Sequence, residues 1–319
     1  MPEVLDVTPL LDPDVVAALV PLNFDSGRLS DQTLPKMRAA RLLAPVAELS
    51  EHVVRTDYPI PGSDGVVVRV HRPAAADGDL PCVYWMHGGG LVMGDYAGDD
   101  LRFDRWCPRH GCVGVSVAYR LAPETPYPGP LDDCYAGLKW VYDHAGELGV
   151  DRARIGIGGP SAGGGLAAGL GLLARDRGEI PLMFQLLIYP MIDDRQITAS
   201  SQWMDPIWPP AANAYGWKSY LGDRAAGPDV AIYAAAARAE DLSRLPPTLI
   251  SVGALDGFSD EDIDYAVRLR HAGVPVELHV YPGMPHGFDA LLPDLPQSRR
   301  ARRDMGEWLT KILGSPPST

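Results

Sequence analysis

From residue 52 to about 315 the chain alternates short apolar runs with longer stretches in which apolar residues recur every three or four positions. Runs of four to eight residues with period two, or with no polar break, suit β-strands. The longer pattern, with period 3.6, suits helices that bury one face. The spacing predicts eight strands, at 52–57, 66–72, 82–87, 112–119, 154–159, 184–189, 247–252 and 276–281. The four from 82 to 189 are nearly continuous in apolar residues, as strands covered on both faces must be. The first two alternate more and read as an antiparallel edge. Helices are predicted at 99–110, 131–146, 161–177, 260–272 and 299–313, with Gly273 at the C-terminal cap position of the fourth. This alternation is that of an α/β fold, a mostly parallel eight-stranded sheet flanked by helices.

Two segments break the alternation. Residues 1–50 are helical in pattern, and residues 193–240 carry Trp203, Trp208, Trp217 and several prolines. Both read as parts of a helical cap over a core made of residues 51–192 and 241–319. A plainer reading makes them surface embellishments whose aromatic residues pack onto that core. Residues 314–319 read as a frayed tail.

Composition narrows the partners. At 319 residues, 46% hydrophobic and 22% charged, the chain can bury a sizeable core. Its formal net charge of −13 opposes binding to nucleic acid or an anionic membrane and favours a neutral or cationic small molecule. The start lacks the basic region of a signal peptide, and the apolar run at 15–20 is too short to span a membrane. Cys82, Cys107, Cys112 and Cys134 have neither C-x-x-C spacing nor paired histidines. They read as buried thiols of a cytoplasmic protein with no metal site and no disulfide framework.

Candidate chemistry lies in two glycine-rich turns that each follow an apolar strand. His87-Gly88-Gly89-Gly90 suits backbone donors converging on an oxyanion, and Gly159-Pro160-Ser161-Ala162-Gly163 suits a serine at the apex of a sharp strand-to-helix turn. In a chain of this composition chance yields the serine pattern in roughly one sequence in six and the other in about one in a hundred, so the pair is the stronger signal. A serine hydroxyl needs an imidazole to take its proton and a carboxylate to orient that imidazole. Asp256 and His286 each follow a predicted strand, in the order serine, acid, histidine. His87, the rival histidine, more naturally braces the first loop. Asp260 fits either the acid or a helix N-cap. Gly88, Gly89 and Ala162 are the candidate oxyanion donors. Neither phosphate-binding glycine pattern occurs at these turns.

Together His87–Gly90, residues 119–124 (Tyr-Arg-Leu-Ala-Pro-Glu), residues 159–165, Asp256 with Asp260 and Glu261, and residues 285–288 resemble the hormone-sensitive-lipase-like esterases. The likeness spans residues 80–290. It implies an α/β-hydrolase fold, a Ser161, Asp256 and His286 triad, an oxyanion hole in the His87–Gly90 loop, and a helical cap from residues 1–50 and 193–240. It further implies hydrolysis of short- to medium-chain carboxylic esters without metal or cofactor, and a homodimer formed through an edge strand, with 276–281 and the last helix as its surface. Pro160 and Ala118 depart from the family pattern; Pro160 removes an N–H and stiffens the elbow. Arg120 and Glu124 read as a structural pair. Trp203, Met204, Trp208, Tyr215 and Trp217 are candidate lining residues. Hydrolysis of amides or lactones would use the same residues, and a non-catalytic ligand receptor on the same fold is the alternative from another class.

Overall fold

The computed structural model describes residues 5–22, 29–42 and 48–314. The helical character expected at 1–4, 23–28 and 43–47, and the tail at 315–319, fall outside the described residues. The eight expected strands are present: β1 (Val53–Pro59), β2 (Val67–Pro73), β3 (Leu80–Met86), β4 (Val113–Ala118), β5 (Val150–Pro160), β6 (Gln185–Ile188), β7 (Thr248–Gly253) and β8 (Val276–Tyr281). They form one sheet in the order β1-β2-β4-β3-β5-β6-β7-β8. β2 runs antiparallel to β1 and β4, and every other pairing is parallel. The more alternating strands therefore sit at the antiparallel edge, as their pattern requires.

The helices are α1 (Pro13–Leu19), α2 (Leu34–Leu42), α3 (Asp100–His110), α4 (Gly129–Asp143), α5 (Ala145–Leu148), α6 (Ala162–Arg177), α7 (Pro210–Leu221), α8 (Ser259–His271), α9 (Phe288–Leu291) and α10 (Pro296–Leu313). The helix expected at 131–146 ends at Asp143, and a short α5 follows before Gly149 turns the chain left-handed. Gly273 takes a positive φ of 82° just after α8, as expected. Among the described residues, no helix is long and apolar enough to cross a membrane.

Two hydrophobic layers cover the sheet. One holds Trp85, Phe103, Phe184 and Trp308; the other contains α4 and α6 residues together with Leu29, Leu34, Trp208 and Trp217. The two segments outside the alternation thus share the core of the sheet. Most of α6, from Ala162 to Ala174, is buried. Its glycines permit this, since a Cβ on Gly163 would lie 2.0 Å from Met86 O and one on Gly165 2.0 Å from Met191 O. All four cysteines are buried and unbridged.

The order β4-β3-β5 places consecutive strands on opposite sides of β3. Loops leaving the carboxyl ends of β3 and β5 diverge there, and a crevice at such a reversal is where α/β sheets bind ligands. The loop at 87–90 follows β3 and Ser161 follows β5, so the topology alone brings the two glycine-rich turns together.

Candidate active site

Ser161 joins β5 directly to α6. Its φ of 56° with ψ of −123° lies where L-residues are rarely found, a strain of about 1–3 kcal/mol that surrounding contacts must hold. Those contacts are present: Ser161 N–H donates to Ile188 O at 2.8 Å, and Ser161 O accepts from Gly165 and Met191. Pro160 is the last residue of β5, past the end of its pairing with β3 at Gly158 and opposite Ile188 of β6.

The hydroxyl of Ser161 lies 2.9 Å from His286 Nε2, and His286 Nδ1 lies 2.8 Å from Asp256 Oδ2. With Nδ1 protonated toward the carboxylate, Nε2 presents its lone pair to the serine. All three side chains are buried. Asp256 Oδ1 accepts from Phe258 N–H, which fixes the carboxylate. Burial alone depresses the imidazole's proton affinity, but the charge and hydrogen bond of Asp256, with the charges of Asp205 and Asp289, outweigh it and leave His286 raised. The rings of Tyr189 and Phe258 meet the imidazole edge-on, each 4.9 Å away.

The loop after β3 abuts the serine. A Cβ on Gly88 would sit 3.5 Å from Ser161 Cβ and 3.0 Å from Pro160 O. Gly89 has φ of +130°, and a Cβ there would lie 2.0 Å from Met93 O, so only glycine fits. Ala162 opens α6, where main-chain N–H groups lack an intrahelical acceptor. His87 braces the loop: its ring stacks on Tyr119 at 4.2 Å, Nδ1 lies 2.9 Å from Gly88 O, and the Tyr119 hydroxyl donates to His87 O.

Of the five lining candidates, Trp208 meets His286, with ring centroids 6.5 Å apart, and fills the space beside Gly90. Its indole N–H finds no acceptor among the described residues. Met204 is 46% exposed, Trp203 is half-buried, Tyr215 donates to Asp31, and Trp217 packs in the core against Tyr220.

Two pairings differ from expectation. Arg120 forms a bidentate pair with buried Asp133 of α4, whereas Glu124 pairs with Arg38 of α2. Residues 120–124 form an irregular turn, so positions four apart do not share a face as they would on a helix. Asp260 does not cap α8, which starts at Ser259; its carboxylate accepts from Ser200 N–H at 2.9 Å while Asp260 N–H donates to Ser200 Oγ.

Sequence reading missed Asp205, whose carboxylate accepts from His286 N–H at 2.8 Å, and Asp289, which accepts from the Tyr189 hydroxyl at 2.7 Å. The Asp-Pro dipeptide at 205–206 signals a turn but nothing about a partner 81 residues away. Arg38 was missed as well. It donates to Val92 O and Ala122 O, tying α2 to the segment that follows the loop at 87–90. Among the described residues no group of three or more His, Cys, Asp or Glu side chains is placed to hold a metal ion.

Residues 83–290 match a family described as having the alpha/beta hydrolase fold. The chain is 34% identical over 313 residues to the esterase LipI of Mycobacterium tuberculosis, covering 89% of each protein, and 34% identical over 292 residues to the carboxylesterase NlhH of the same organism, again with 89% of each covered. Among solved structures it is similar to a bacterial heroin esterase, at 42% identity and a TM-score of 0.90, with 96% of this chain and 99% of that one covered. A hyperthermophilic esterase from the archaeon Pyrobaculum calidifontis superposes with a TM-score of 0.81 at 33% identity, covering 95% of this chain and 99% of that one. A strained serine at a strand-to-helix elbow, a family match across that elbow, and relatives alike over nearly their whole length point one way: the chain belongs to the α/β-hydrolase fold family, among its hormone-sensitive-lipase-like esterases.

Proposed function

We propose that this protein is a serine carboxylesterase in which Ser161 is the nucleophile, His286 the general base and Asp256 the residue that orients it. The observation that carries the reading is the unbroken chain from Ser161 Oγ through the imidazole to Asp256, with separations of 2.9 and 2.8 Å, beside a glycine loop that admits no side chain. His286 Nε2 takes the hydroxyl proton as Ser161 Oγ bonds to the ester carbonyl carbon. The N–H groups of Gly88, Gly89 and Ala162 receive the resulting oxyanion, each donor lowering the barrier by about 3 kcal/mol. The carbon–oxygen bond to the alcohol then breaks, and the alcohol leaves with the proton from His286. Water gives a proton to the same nitrogen while attacking the acyl carbon, and Ser161 departs with its proton restored. No step calls for a cofactor.

The described residues of 1–50, together with 193–240, form the cap over this crevice, with Trp208 against the substrate. Close packing of that ring on Gly90 and His286 supports a small acyl site and hence short- to medium-chain esters. Residence in the cytoplasm is consistent with four buried, unbridged thiols. A homodimer through β8 is consistent with its position at the sheet's edge, where main-chain groups have no neighbour strand among the described residues; light scattering on the eluting species would return a monomer mass if this surface stays unpaired.

The test is hydrolysis of p-nitrophenyl esters from acetate to palmitate by wild type and Ser161→Ala. Expected is serine-dependent turnover that declines beyond medium chains. Retained turnover in a folded Ser161→Ala would refute the assignment.

A further inference from the structure

Two buried carboxylates hold His286 at two points. Asp256 takes the ring, and Asp205 takes the main chain, accepting the His286 N–H on Oδ2 at 2.8 Å. Asp205 Oδ1 accepts from the N–H groups of Ile207 at 2.7 Å and Trp208 at 3.0 Å, closing an Asx turn. Asp205 is 2% exposed, and no Lys or Arg pairs with it among the described residues. Burial and the neighbouring Asp256 charge push its carboxyl up to about 6, and the His286 charge with these main-chain donors offsets that in part, keeping Asp205 ionised above that pH.

The turn closed by Asp205 aims Trp208. A Cβ on Gly90 would lie 2.2 Å from the far edge of that indole, so the ring is seated directly on the loop after β3. One carboxylate thus joins the residue that covers the oxyanion loop to the main chain of the base.

We propose that Asp205 is a positioning residue of the esterase site: it locks the turn at 205–208 to the His286 loop, so that alignment of the base on Ser161 is coupled to the seating of Trp208. This rests on the reading of His286 as the general base.

Charge supplies a readout that a merely structural role would not move. The groups facing His286 are Asp256 after β7, Asp205 from the 193–240 segment, Asp289 of α9 with the Tyr189 hydroxyl bonded to it, and the Ser161 hydroxyl. The rings of Phe258 and Trp208 beside it carry no charge. Asp205 therefore joins Asp256 and Asp289 in favouring the imidazolium, and its loss lets His286 deprotonate at lower pH.

The experiment compares Asp205→Asn, Asp205→Glu and His286→Ala with wild type on p-nitrophenyl butyrate, as full pH profiles. In Asp205→Asn the amide nitrogen must face at least one N–H donor, which breaks the lock while conserving volume. Expected are a fall in kcat of about 10- to 100-fold, as for a misplaced catalytic group, a smaller change in KM, and an acid limb of kcat/KM moved to lower pH. Asp205→Glu keeps the charge and disturbs the geometry, so kcat falls while the limb stays near that of wild type. The limb's position does not depend on how much of a preparation is folded. A wild-type kcat or an unmoved limb in Asp205→Asn overturns the proposal; should that variant yield no folded protein, a wild-type kcat in Asp205→Glu does so. Turnover retained by His286→Ala would instead overturn the base assignment beneath it.

Discussion

Gly89→Ala is the sharpest test of the oxyanion loop, because structure sets both the size and the direction of the effect. At φ of +130° an added Cβ would lie 2.0 Å from Met93 O and 2.6 Å from Met93 C. Restoring ordinary contact requires the loop to open by roughly 1.5 Å. The turn resists, since Gly89 O accepts from Val92 and Met93 while Arg38 holds Val92 O from α2. Donors in such a site must keep their places to within about 0.5 Å. Misplacing one costs about a hundred- to a thousandfold in kcat, or ~3–4 kcal/mol of barrier. KM should change little, because the charge these donors meet exists only as the reaction proceeds. Gly62→Ala is the control: its φ of +77° is also left-handed, yet a Cβ there meets nothing within 4 Å. It reports the cost of left-handed alanine alone, roughly 1–2 kcal/mol of stability, without loss of activity. Steady-state kinetics on p-nitrophenyl butyrate, with circular dichroism to verify the fold, decides the matter. Equal kcat values for the two variants would refute the reasoning.

Because Asp256, Asp205 and Asp289 together leave His286 raised above its ordinary value near 6.5, kcat/KM should climb as pH rises and level only above that value; an acid limb centred below pH 6 would contradict the charge arrangement. Asp262 of α8 is fully buried, and neither of its oxygens finds a partner among the described residues. Burial first, then the charges of Glu261 and Asp256, push its carboxyl well above the ordinary 3.8. A carboxyl raised on folding favours the native state least once pH exceeds its native pKa, so Asp262→Leu, similar in shape, should stabilise by about 1–3 kcal/mol at alkaline pH and less in acid. Thermal melts at the two pH extremes check this, and an equal or lower Tm for the variant in alkali would count against it.

The elements that carry the candidate site were legible because their signals are local. An apolar run between turn residues is a strand wherever it ends up, which is why 82–87 and 247–252 were recognisable and their bounds differ from β3 and β7 by no more than a few residues. Glycine at 88 and 89 and serine at 161 follow from short-range demands: a backbone close to its neighbour and a chain reversing within one residue. Strand order and the reversal at β3 follow from how the apolar faces pack, and no single run encodes them.

What the sequence determined by itself, then, was the eight strands and the main helices between them, the two glycine-rich turns, and the order of Ser161, Asp256 and His286, all properties of short stretches whose backbone preferences and apolar period act over a few residues; helices such as α7 and α9 were not among them. Only the tertiary structure decided which charge meets which donor. It paired Arg120 with Asp133 and Glu124 with Arg38, gave Asp260 to Ser200, and set Asp205 against His286 across 81 residues. The reason is physical: a buried charge such as Asp133 or Asp205 must find a partner within about 3 Å, and the nearest one in space depends on how the loops converge above the sheet rather than on distance along the chain.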